Sequence, residues 1–283
     1  TMSKIALGTA QFGLDYGITN KSGQVSKSEV KNILDCASRY NIKTLDTASG
    51  YGNSEEILGQ AGVNEYQIIT KTIPLKNGIN KVIDSFYKSL ERLDKCQVEG
   101  LLIHDIGDIE NQHFDELMNK LTKLKKEGLV KKIGFSTYTP EQIDLLLNNF
   151  DFDLIQLPFN VFDNRLIKGG QLTALKNNKI EIHARSIFLQ GVLLNFDNLS
   201  EYFLKWRGQM ESYQLMVKES GMSLLEYAIN YAQSIQEIDK IIVGVTNKNQ
   251  LIEIIKSLKN SSNLNAYEIN DVNLLNPNLW NRK

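Results

Sequence analysis

Four polar residues of different chemical type lie at the ends of strand-like apolar runs. Asp46 lies in the second run of the chain, Tyr51 follows it, Lys71 ends the third run and His104 ends the fourth. A carboxylate, a phenol, an ammonium and an imidazole together form an acid–base set. An ammonium about 4 Å from a phenol stabilises the phenolate by roughly 4 kcal/mol at an effective dielectric of about 20. Beside Tyr51, Lys71 is therefore expected to lower the pKa of the phenol from its ordinary value of about 10.

Eight short apolar runs alternate along the chain with amphipathic, helical patterns. The runs are rich in Ile, Leu and Val and are mostly continuous, which is typical of parallel strands covered on both faces. Eight strands, each followed by a helix, within about 250 residues predict an α/β fold of the (β/α)8 TIM-barrel type. The predicted strands are residues 5–9, 44–47, 67–71, 100–104, 132–136, 154–158, 181–185 and 240–245.

Several helices begin with explicit start signals. The segment from Ser26 to Glu29 predicts a capping box, in which the serine accepts from the N3 amide and Glu29 reaches back to the start of its own helix. Thr139 is followed by Pro140 at the first helical position, where a missing N–H costs nothing. The other predicted start signals are at Asn53, Ser223 and Asn247.

A doubly wound open sheet is the rival fold. It normally carries a glycine-rich phosphate loop after its first strand, but the turn from Gly8 to Gly13 does not fit the G-x-G-x-x-G pattern. No linker, low-complexity tract or short repeat divides the chain, so we expect one domain over residues 1–283. In a (β/α)8 barrel the active site forms at the carboxyl ends of the strands. The four polar residues are therefore expected to face one mouth.

The segment Asp-Thr-Ala-x-x-Tyr-Gly-Asn-Ser-Glu around Tyr51 resembles the aldo-keto reductase superfamily, and the similarity covers nearly the whole chain. The four polar residues match the Asp/Tyr/Lys/His tetrad of that superfamily in order and spacing. The resemblance implies a (β/α)8 barrel that reduces an aldehyde or ketone to the alcohol with a reduced nicotinamide dinucleotide. In that reaction Tyr51 gives its proton to the developing alkoxide, Asp46 keeps Lys71 charged and oriented, and His104 hydrogen-bonds the substrate oxygen.

The resemblance also implies residues that hold the cofactor. Ser136 and Thr137 occupy the place where relatives have Ser-Asn on the carboxamide, and Thr137 departs from that pattern but keeps a hydroxyl. Gln156 matches the carboxamide-binding glutamine of the superfamily, with an ordinary polar residue inside the barrel as the alternative. The further cofactor residues that the resemblance implies are Thr9, Gly191, Gly244, Thr246, Asn247, Gln250 and Glu253.

Arg185 stands where relatives have an aromatic residue that stacks on the nicotinamide. A guanidinium is planar and is also able to stack. Its positive charge disfavours the oxidised, cationic nicotinamide relative to the neutral reduced one. We therefore expect Arg185 to bias the site toward the reduced cofactor and toward carbonyl reduction. The alternative is that Arg185 is a salt-bridge residue turned away from the ring.

The segment after the eighth run bears on the choice of dinucleotide. Helix N-termini bind phosphate through free amides, and in many relatives a Lys or Arg here engages the 2′-phosphate. This chain has Gly244 and Gln250 at the matching places, and Lys248 is the nearest basic residue. NADPH is expected because it is frequent in the superfamily, and NADH stays open. Glu253 matches an adenine-contacting acidic residue, with an exposed helix glutamate as the alternative.

Loops and the C-terminal tail are expected to shape the substrate pocket. The tail at 263–283 is short and polar, which favours an open mouth and a hydroxylated or sugar-like carbonyl. The first strand begins almost at the start of the chain, so we expect the β-hairpin that closes the barrel bottom in many relatives to be absent or reduced. The candidate pocket walls are Phe12, Tyr16, Phe159 and Trp206, for each of which a core position is the alternative.

Composition narrows the function classes. The 32 basic and 33 acidic residues argue against a general nucleic-acid-binding protein, and no apolar run is long enough to predict a membrane span. Two distant cysteines, and three histidines without ligand spacing, predict neither a disulfide framework nor a metal site. With no visible signal peptide, a cytoplasmic location is the default expectation. The sequence does not define the oligomeric state.

Three function classes are compatible with these features. The first is a nicotinamide-dependent carbonyl reductase acting on a small molecule. The second is a barrel that binds the dinucleotide as a regulatory or partner subunit with little turnover. The third is a barrel enzyme of other chemistry, an aldolase or isomerase in which Lys71 forms a Schiff base. The complete tetrad argues against the second class, and nicotinamide dependence separates the first from the third.

Overall fold

Eight parallel strands close into a barrel in the computed structural model, which describes residues 4–17, 20–260 and 263–280. Each strand pairs with the next along the chain, and the eighth pairs with the first. The strands are β1 (Ile5–Gly8), β2 (Thr44–Asp46), β3 (Gln67–Lys71), β4 (Val98–Ile103), β5 (Val130–Ser136), β6 (Leu154–Pro158), β7 (Glu181–Arg185) and β8 (Lys240–Gly244). The expected (β/α)8 fold is confirmed.

Helices follow the strands and cover the outside of the barrel. They are α1 (Ala10–Gly13), α2 (Lys27–Arg39), α3 (Ser54–Ala61), α4 (Ile79–Leu93), α5 (Phe114–Lys126), α6 (Pro140–Asn149), α7 (Arg165–Lys168), α8 (Gln171–Asn177), α9 (Arg207–Glu219), α10 (Leu224–Ser234), α11 (Lys248–Ser257) and α12 (Val272–Leu275). The apolar side chains between strands and helices form one large buried cluster, which fixes the outer faces of the strands. A small separate cluster inside the barrel consists of Ile69, Leu102 and Leu154.

The predicted helix starts agree in most cases with the side-chain bonds. Thr139 and Gln142 form a full capping box with Pro140 in the first turn of α6. Ser223 and Asn247 accept backbone N–H groups at the starts of α10 and α11. Asn53 is the N-cap residue of α3, as predicted, but its side chain makes no capping bond there.

The predicted capping box of α2 forms only in half. The Ser26 hydroxyl accepts from the Glu29 amide at 3.3 Å. The Glu29 carboxylate does not return to its own helix start, because it accepts from the backbone N–H of Lys248 at 2.7 Å and from Asn32 at 3.2 Å. Glu29 therefore joins α2 to the first residue of α11.

Charged side chains lie at the end of the barrel opposite the carboxyl ends of the strands. The Lys4 ammonium, directly before β1, donates to the carbonyls of Gln233 and Ile235 at 3.2 and 3.0 Å. Lys132 pairs with Glu99 and Glu181 at 3.0 and 2.8 Å. Over the described residues, no helix is both long and apolar enough to cross a bilayer.

Candidate active site

The four polar residues predicted to share a mouth do meet at the carboxyl ends of β2, β3 and β4. The Lys71 ammonium donates to Asp46 Oδ2 at 2.9 Å, to the Thr47 carbonyl at 2.8 Å and to Tyr51 Oη at 3.3 Å. The His104 ring meets the Tyr51 ring edge to face, with centroids 5.8 Å apart. Lys71 is fully buried, so all three of its N–H donors are directed by fixed neighbours.

Asp46 keeps the buried ammonium charged. Burial by itself lowers the pKa of Lys71, but the Asp46 carboxylate and the Tyr51 oxygen outweigh burial and raise that pKa above its usual value. The amide of Gln156 donates to the second oxygen of Asp46 at 2.7 Å. The carboxylate is thus fixed on both oxygens, and Lys71 stays an ammonium over the whole neutral range.

The Tyr51 phenol differs from the electrostatic expectation. Burial raises the pKa of Tyr51 above its ordinary value, and the Lys71 ammonium opposes this without cancelling it. The expectation that Lys71 lowers the net pKa is therefore wrong for the free protein, because the sequence shows the charged neighbour but not the depth of burial. Tyr51 remains protonated near neutral pH, which is the state that a proton donor needs.

His104 carries no charge near neutral pH. The pKa of His104 is lowered to about 4. Burial has the largest effect, and the positive charges of Lys71 and Arg185 lower the pKa further. A neutral imidazole beside Tyr51 supplies one N–H donor and one acceptor. It can hydrogen-bond a substrate oxygen without competing with Tyr51 as an acid.

A buried hydroxyl network holds the loop that carries Tyr51. The Ser54 hydroxyl, at the start of α3, bonds to the Thr9 hydroxyl and carbonyl and to the Thr47 hydroxyl at 3.0–3.1 Å. Thr9 in turn donates to the Asp46 carbonyl at 2.8 Å. Thr9, expected to contact the cofactor, thus also positions the strand end that carries Asp46.

A second buried network, not expected from the sequence, supports the strand of Lys71. Glu55 is buried and accepts from the Thr70 hydroxyl at 2.7 Å, from Ser89 at 3.0 Å and from the Arg92 guanidinium at 2.9 Å. Glu55 follows the Tyr51 loop in the family-like motif, and Thr70 precedes Lys71. The motif therefore contains a positioning residue for β3 as well as the phenol.

An elongated cavity of about 610 Å³ begins at Asp46 and Tyr51 and continues past β8 to α11. This volume is within the usual range for small-molecule sites. The predicted site residues that line it are Thr9, Tyr16, Asp46, Tyr51, Gln156, Arg185, Gly191, Gly244, Thr246, Gln250 and Glu253. The predictions did not include Gln11, Lys21, Phe188 and Gln190, which also line it. The rule that loops after barrel strands form the site was the available signal for these four.

Three of the four predicted pocket walls lie in the hydrophobic core instead. Phe12 and Phe159 are fully buried, and Phe159 stacks on Tyr231 with centroids 5.7 Å apart. Trp206 is buried and donates through its indole N–H to Asp271 in the C-terminal segment. Their assignment as walls was wrong, because aromatic residues near strand ends are as well suited to the core as to a pocket. Tyr16 does line the cavity and is 41% exposed.

Arg185 lines the cavity without an acidic partner among the described residues. Its guanidinium carbon lies 4.5 Å from the centre of the Tyr138 ring, a cation–π contact. One of its N–H groups donates to the Thr137 carbonyl at 2.6 Å. The alternative of a salt bridge is therefore wrong for the described structure. Ser136 and Thr137 are themselves buried, and the Thr137 hydroxyl bonds to the Gln156 carbonyl at 3.3 Å.

The cavity wall after β7 has an unusual backbone. Ser186, Leu189, Gln190 and Gly191 all have positive φ angles, of 61°, 49°, 53° and 92°. Three of these residues carry side chains, for which this region is uncommon. The buried Asn160 holds the segment by donating to the Ser186 carbonyl at 3.2 Å.

The α11 end of the cavity is polar and largely exposed. The Gln250 side chain accepts from the Thr246 amide at 2.8 Å and from its hydroxyl at 3.0 Å, and the Asn247 side chain accepts from the Gln250 amide at 2.9 Å. A Cβ at position 244 would lie 2.8 Å from the Gln11 amide oxygen, which is too close, so Gly244 fits here because it has no side chain. The residues expected to hold the adenosine end therefore cluster here.

The fold and the tetrad together define a barrel of the reductase type. The sequence profile of the Aldo/keto reductase family matches residues 4–276, so the chain belongs to this family. The family resemblance found in the motifs is confirmed. Over the described residues, no group of three or more His, Cys, Asp or Glu is placed to hold a metal ion.

The chain is similar to several known proteins over most of its length. It is 26% identical over 295 residues to the uncharacterized oxidoreductase YqkF of Bacillus subtilis, covering 95% of this chain and 94% of that protein. It is 23% identical to a probable voltage-gated potassium channel subunit beta of Arabidopsis thaliana, covering 90% and 89%. The holo structure of aldo-keto reductase AKR11C1 from Bacillus halodurans superposes with a TM-score of 0.75 at 19% identity, covering 94% and 89%.

Proposed function

We propose that the protein reduces an aldehyde or ketone to the alcohol, with hydride from a reduced nicotinamide dinucleotide and a proton from Tyr51. The observation that carries this proposal is the Lys71 ammonium, which donates at once to Asp46 and to the Tyr51 oxygen. Membership of the Aldo/keto reductase family supports an oxidoreductase that acts on carbonyl groups. NADPH is the cofactor expected from the resemblance and NADH is the alternative.

The residues along the cavity suit an elongated, polar cofactor. Gln156 and Arg185 lie at the end near Tyr51, and Thr246, Gln250 and Glu253 lie at the end formed by α11. When bound, the dinucleotide supplies the hydride. A carbonyl that accepts this hydride must place its oxygen near Tyr51 Oη, because the oxygen takes its proton from that atom.

The tetrad stabilises the charge that this proton transfer creates. As the proton leaves Tyr51, the phenolate oxygen stays within 3.3 Å of the Lys71 ammonium, so the developing negative charge faces a fixed positive one. Asp46 holds the ammonium in place from the opposite side at 2.9 Å. In this proposal the neutral His104 imidazole, whose ring meets that of Tyr51 edge to face, hydrogen-bonds the same substrate oxygen and fixes its angle to Tyr51.

The open mouth of the cavity supports a hydroxylated or sugar-like carbonyl as substrate. No residue in the described part of the tail, 263–280, lines the cavity. Tyr202 and Trp206 bond instead to Asn273 and Asp271, which holds that segment against the region after β7. Reduced nicotinamide dinucleotides are supplied by metabolism inside cells, so we also propose a cytoplasmic location for the protein.

Two tests decide between the function classes. Binding of NADH and NADPH is followed by quenching of protein fluorescence, and turnover is then measured with a panel of simple, hydroxylated and dicarbonyl aldehydes. Dinucleotide-dependent turnover supports the reductase. Tight dinucleotide binding with no turnover of any carbonyl supports the regulatory class, which the similarity to a potassium channel subunit keeps in view.

The Schiff-base class is disfavoured by the state of Lys71. An amine attacks a carbonyl only when it is unprotonated, and the pairing with Asp46 raises the pKa of Lys71 despite its burial. Trapping of a substrate on Lys71 by borohydride, without any dinucleotide, would overturn the reductase proposal.

A further inference from the structure

The Glu29 carboxylate occupies the N-terminus of α11. It comes from a different helix, α2, and accepts the backbone N–H of Lys248, the first residue of α11, at 2.7 Å. Its other oxygen accepts from the Asn32 amide at 3.2 Å, which fixes the side chain. Carboxylates are favourable at helix N-termini because the free amides and the helix dipole are positive there.

The neighbouring donors of this helix start are also engaged. Asn247 accepts the Gln250 amide, and Gln250 accepts the amide and the hydroxyl of Thr246. An incoming anion at α11 would therefore have to displace protein oxygens from two amides in its first turn. Anions bind helix N-termini readily when those amides are free.

The charge around this helix start is also unfavourable to an anion. Glu253, one turn further along α11, lines the cavity, whereas Lys248 and Glu29 lie just outside its lining. Glu253 contributes one carboxylate to this end of the cavity, and Glu29 holds a second against the first residue of α11 beside it. Lys21 also lines the cavity. Lys248 is the only basic residue in the first turn of α11, and its ammonium is close enough to α2 to lower the pKa of the Cys36 thiol against the larger effect of burial.

The position of this end in the cavity determines which part of the cofactor it meets. Hydride transfer to a carbonyl held by Tyr51 places the nicotinamide beside the tetrad. The cavity runs from the tetrad to Thr246, Gln250 and Glu253, so the adenosine half lies toward α11. This step rests on the proposed function.

We propose that Glu29 sets the cofactor specificity, so that the protein binds NADH in preference to NADPH. A 2′-phosphate carries between one and two negative charges near neutral pH and at this end of the cavity would be repelled by the Glu253 carboxylate that lines it and by the Glu29 carboxylate at the start of α11. A ribose 2′-hydroxyl is a neutral donor, and a carboxylate is a good partner for it. This proposal replaces the expectation of NADPH, which rested on the frequency of that cofactor in the superfamily.

The test measures binding of NADH and NADPH by isothermal titration calorimetry without substrate. We expect the wild-type protein to bind NADH at least about tenfold tighter than NADPH at low salt. The Glu29→Gln variant keeps an oxygen that accepts the Lys248 amide but removes the charge. We expect it to tighten NADPH binding by about tenfold and to change NADH binding less than about threefold.

The matched control is Asp35→Asn, which removes one carboxylate from the same helix. Asp35 is exposed on α2, and among the described residues no side-chain hydrogen bond or ion pair joins it to α11, so its variant should leave the ratio of the two dissociation constants unchanged. As a second measurement on the wild-type protein, the preference for NADH should shrink as salt rises from 0.05 to about 0.5 M, because salt screens the repulsion.

The outcomes separate this inference from the function itself. Equal or tighter binding of NADPH by the wild-type protein, or an unchanged ratio in Glu29→Gln with intact thermal melting, overturns the role of Glu29 and leaves the reductase proposal standing. Failure of both dinucleotides to bind the wild-type protein overturns the proposed function, and the role of Glu29 with it.

Discussion

The two ends of the cavity differ in how deeply their polar groups are buried and in how these groups are held. At the tetrad end, a buried ammonium is surrounded by acceptors that lie on neighbouring strands, and Lys71 has its three donors directed at three named oxygens. At the α11 end, side chains near the surface accept from the backbone N–H groups of a helix start, and one of them, Glu29, comes from a helix more than 200 residues away in sequence. We expect the first arrangement to carry out the chemistry and the second to determine which dinucleotide binds.

The largest effect is expected from removing the proton donor. Tyr51→Phe should lower kcat by about a thousandfold or more, because general-acid catalysis and charge stabilisation are both lost. Dinucleotide binding should stay within about threefold, since the α11 end is untouched. Steady-state kinetics and fluorescence titration measure the two quantities. Full turnover in this variant would show that Tyr51 does not supply the proton and that the tetrad is not the catalytic centre.

The second largest effect is expected in the free energy of unfolding of variants at the two ends of the cavity. Lys71→Met leaves the buried Asp46 carboxylate without its ammonium and should lower the free energy of unfolding by about 3–5 kcal/mol. Glu29→Gln, at the more exposed end, should lower it by less than about 1 kcal/mol. Urea denaturation of both variants beside the wild-type protein measures this difference. Equal losses would contradict the view that only one end is built around a buried charge.

The tetrad end should also respond to acid. Because the pKa of His104 is lowered to about 4, the unfolded protein binds more protons at this residue than the folded one between about pH 4 and 6.5. Stability from this group is therefore complete above about pH 6.5 and is lost as the pH falls to about 4, by on the order of 3 kcal/mol.

Denaturant unfolding at several pH values measures this loss. The His104→Gln variant, which keeps hydrogen-bonding groups without a titrating ring, should show a shallower decline over the same window. An identical slope in both proteins would show that His104 is not held neutral by its surroundings.

The smallest effect is expected at Arg185, which lines the cavity at the tetrad end. Arg185→Tyr should raise the affinity for the oxidised dinucleotide relative to the reduced one by about threefold to tenfold, because a positive charge is removed beside a cationic ring. Calorimetry with both redox forms measures the ratio. Arg185→Lys serves as the control, since it keeps the charge without the planar group. An unchanged ratio in Arg185→Tyr would contradict the proposed bias.

The sequence predicts the tetrad end better than the rest. Continuous apolar runs determine the strands, strand ends share one face of a barrel, and Asp46, Lys71 and His104 are therefore brought together by fold class alone. The burial of individual side chains cannot be predicted from the sequence pattern in the same way. The raised pKa of Tyr51 and the core positions of Phe12 and Phe159 depend on packing between distant segments, which spacing does not report.

The Glu29 contact shows a second limit of the sequence. A serine followed three residues later by a glutamate predicts a local capping box, and half of that box does form. The Glu29 carboxylate could accept a backbone N–H at the start of α2 or at the start of α11, and these two sites differ little in local chemistry. The choice is made by the packing of α2 against α11, a contact between residues that are far apart in the chain.

The left-handed backbone after β7 has a consequence for how fast the cofactor binds. Three non-glycine residues between Ser186 and Gly191 are held in a costly conformation by their surroundings, so this wall has its shape before any ligand arrives. A wall that needs no ordering loses little conformational entropy on binding. The observed rate of association should then rise linearly with dinucleotide concentration, without the plateau that a slow rearrangement of the protein produces.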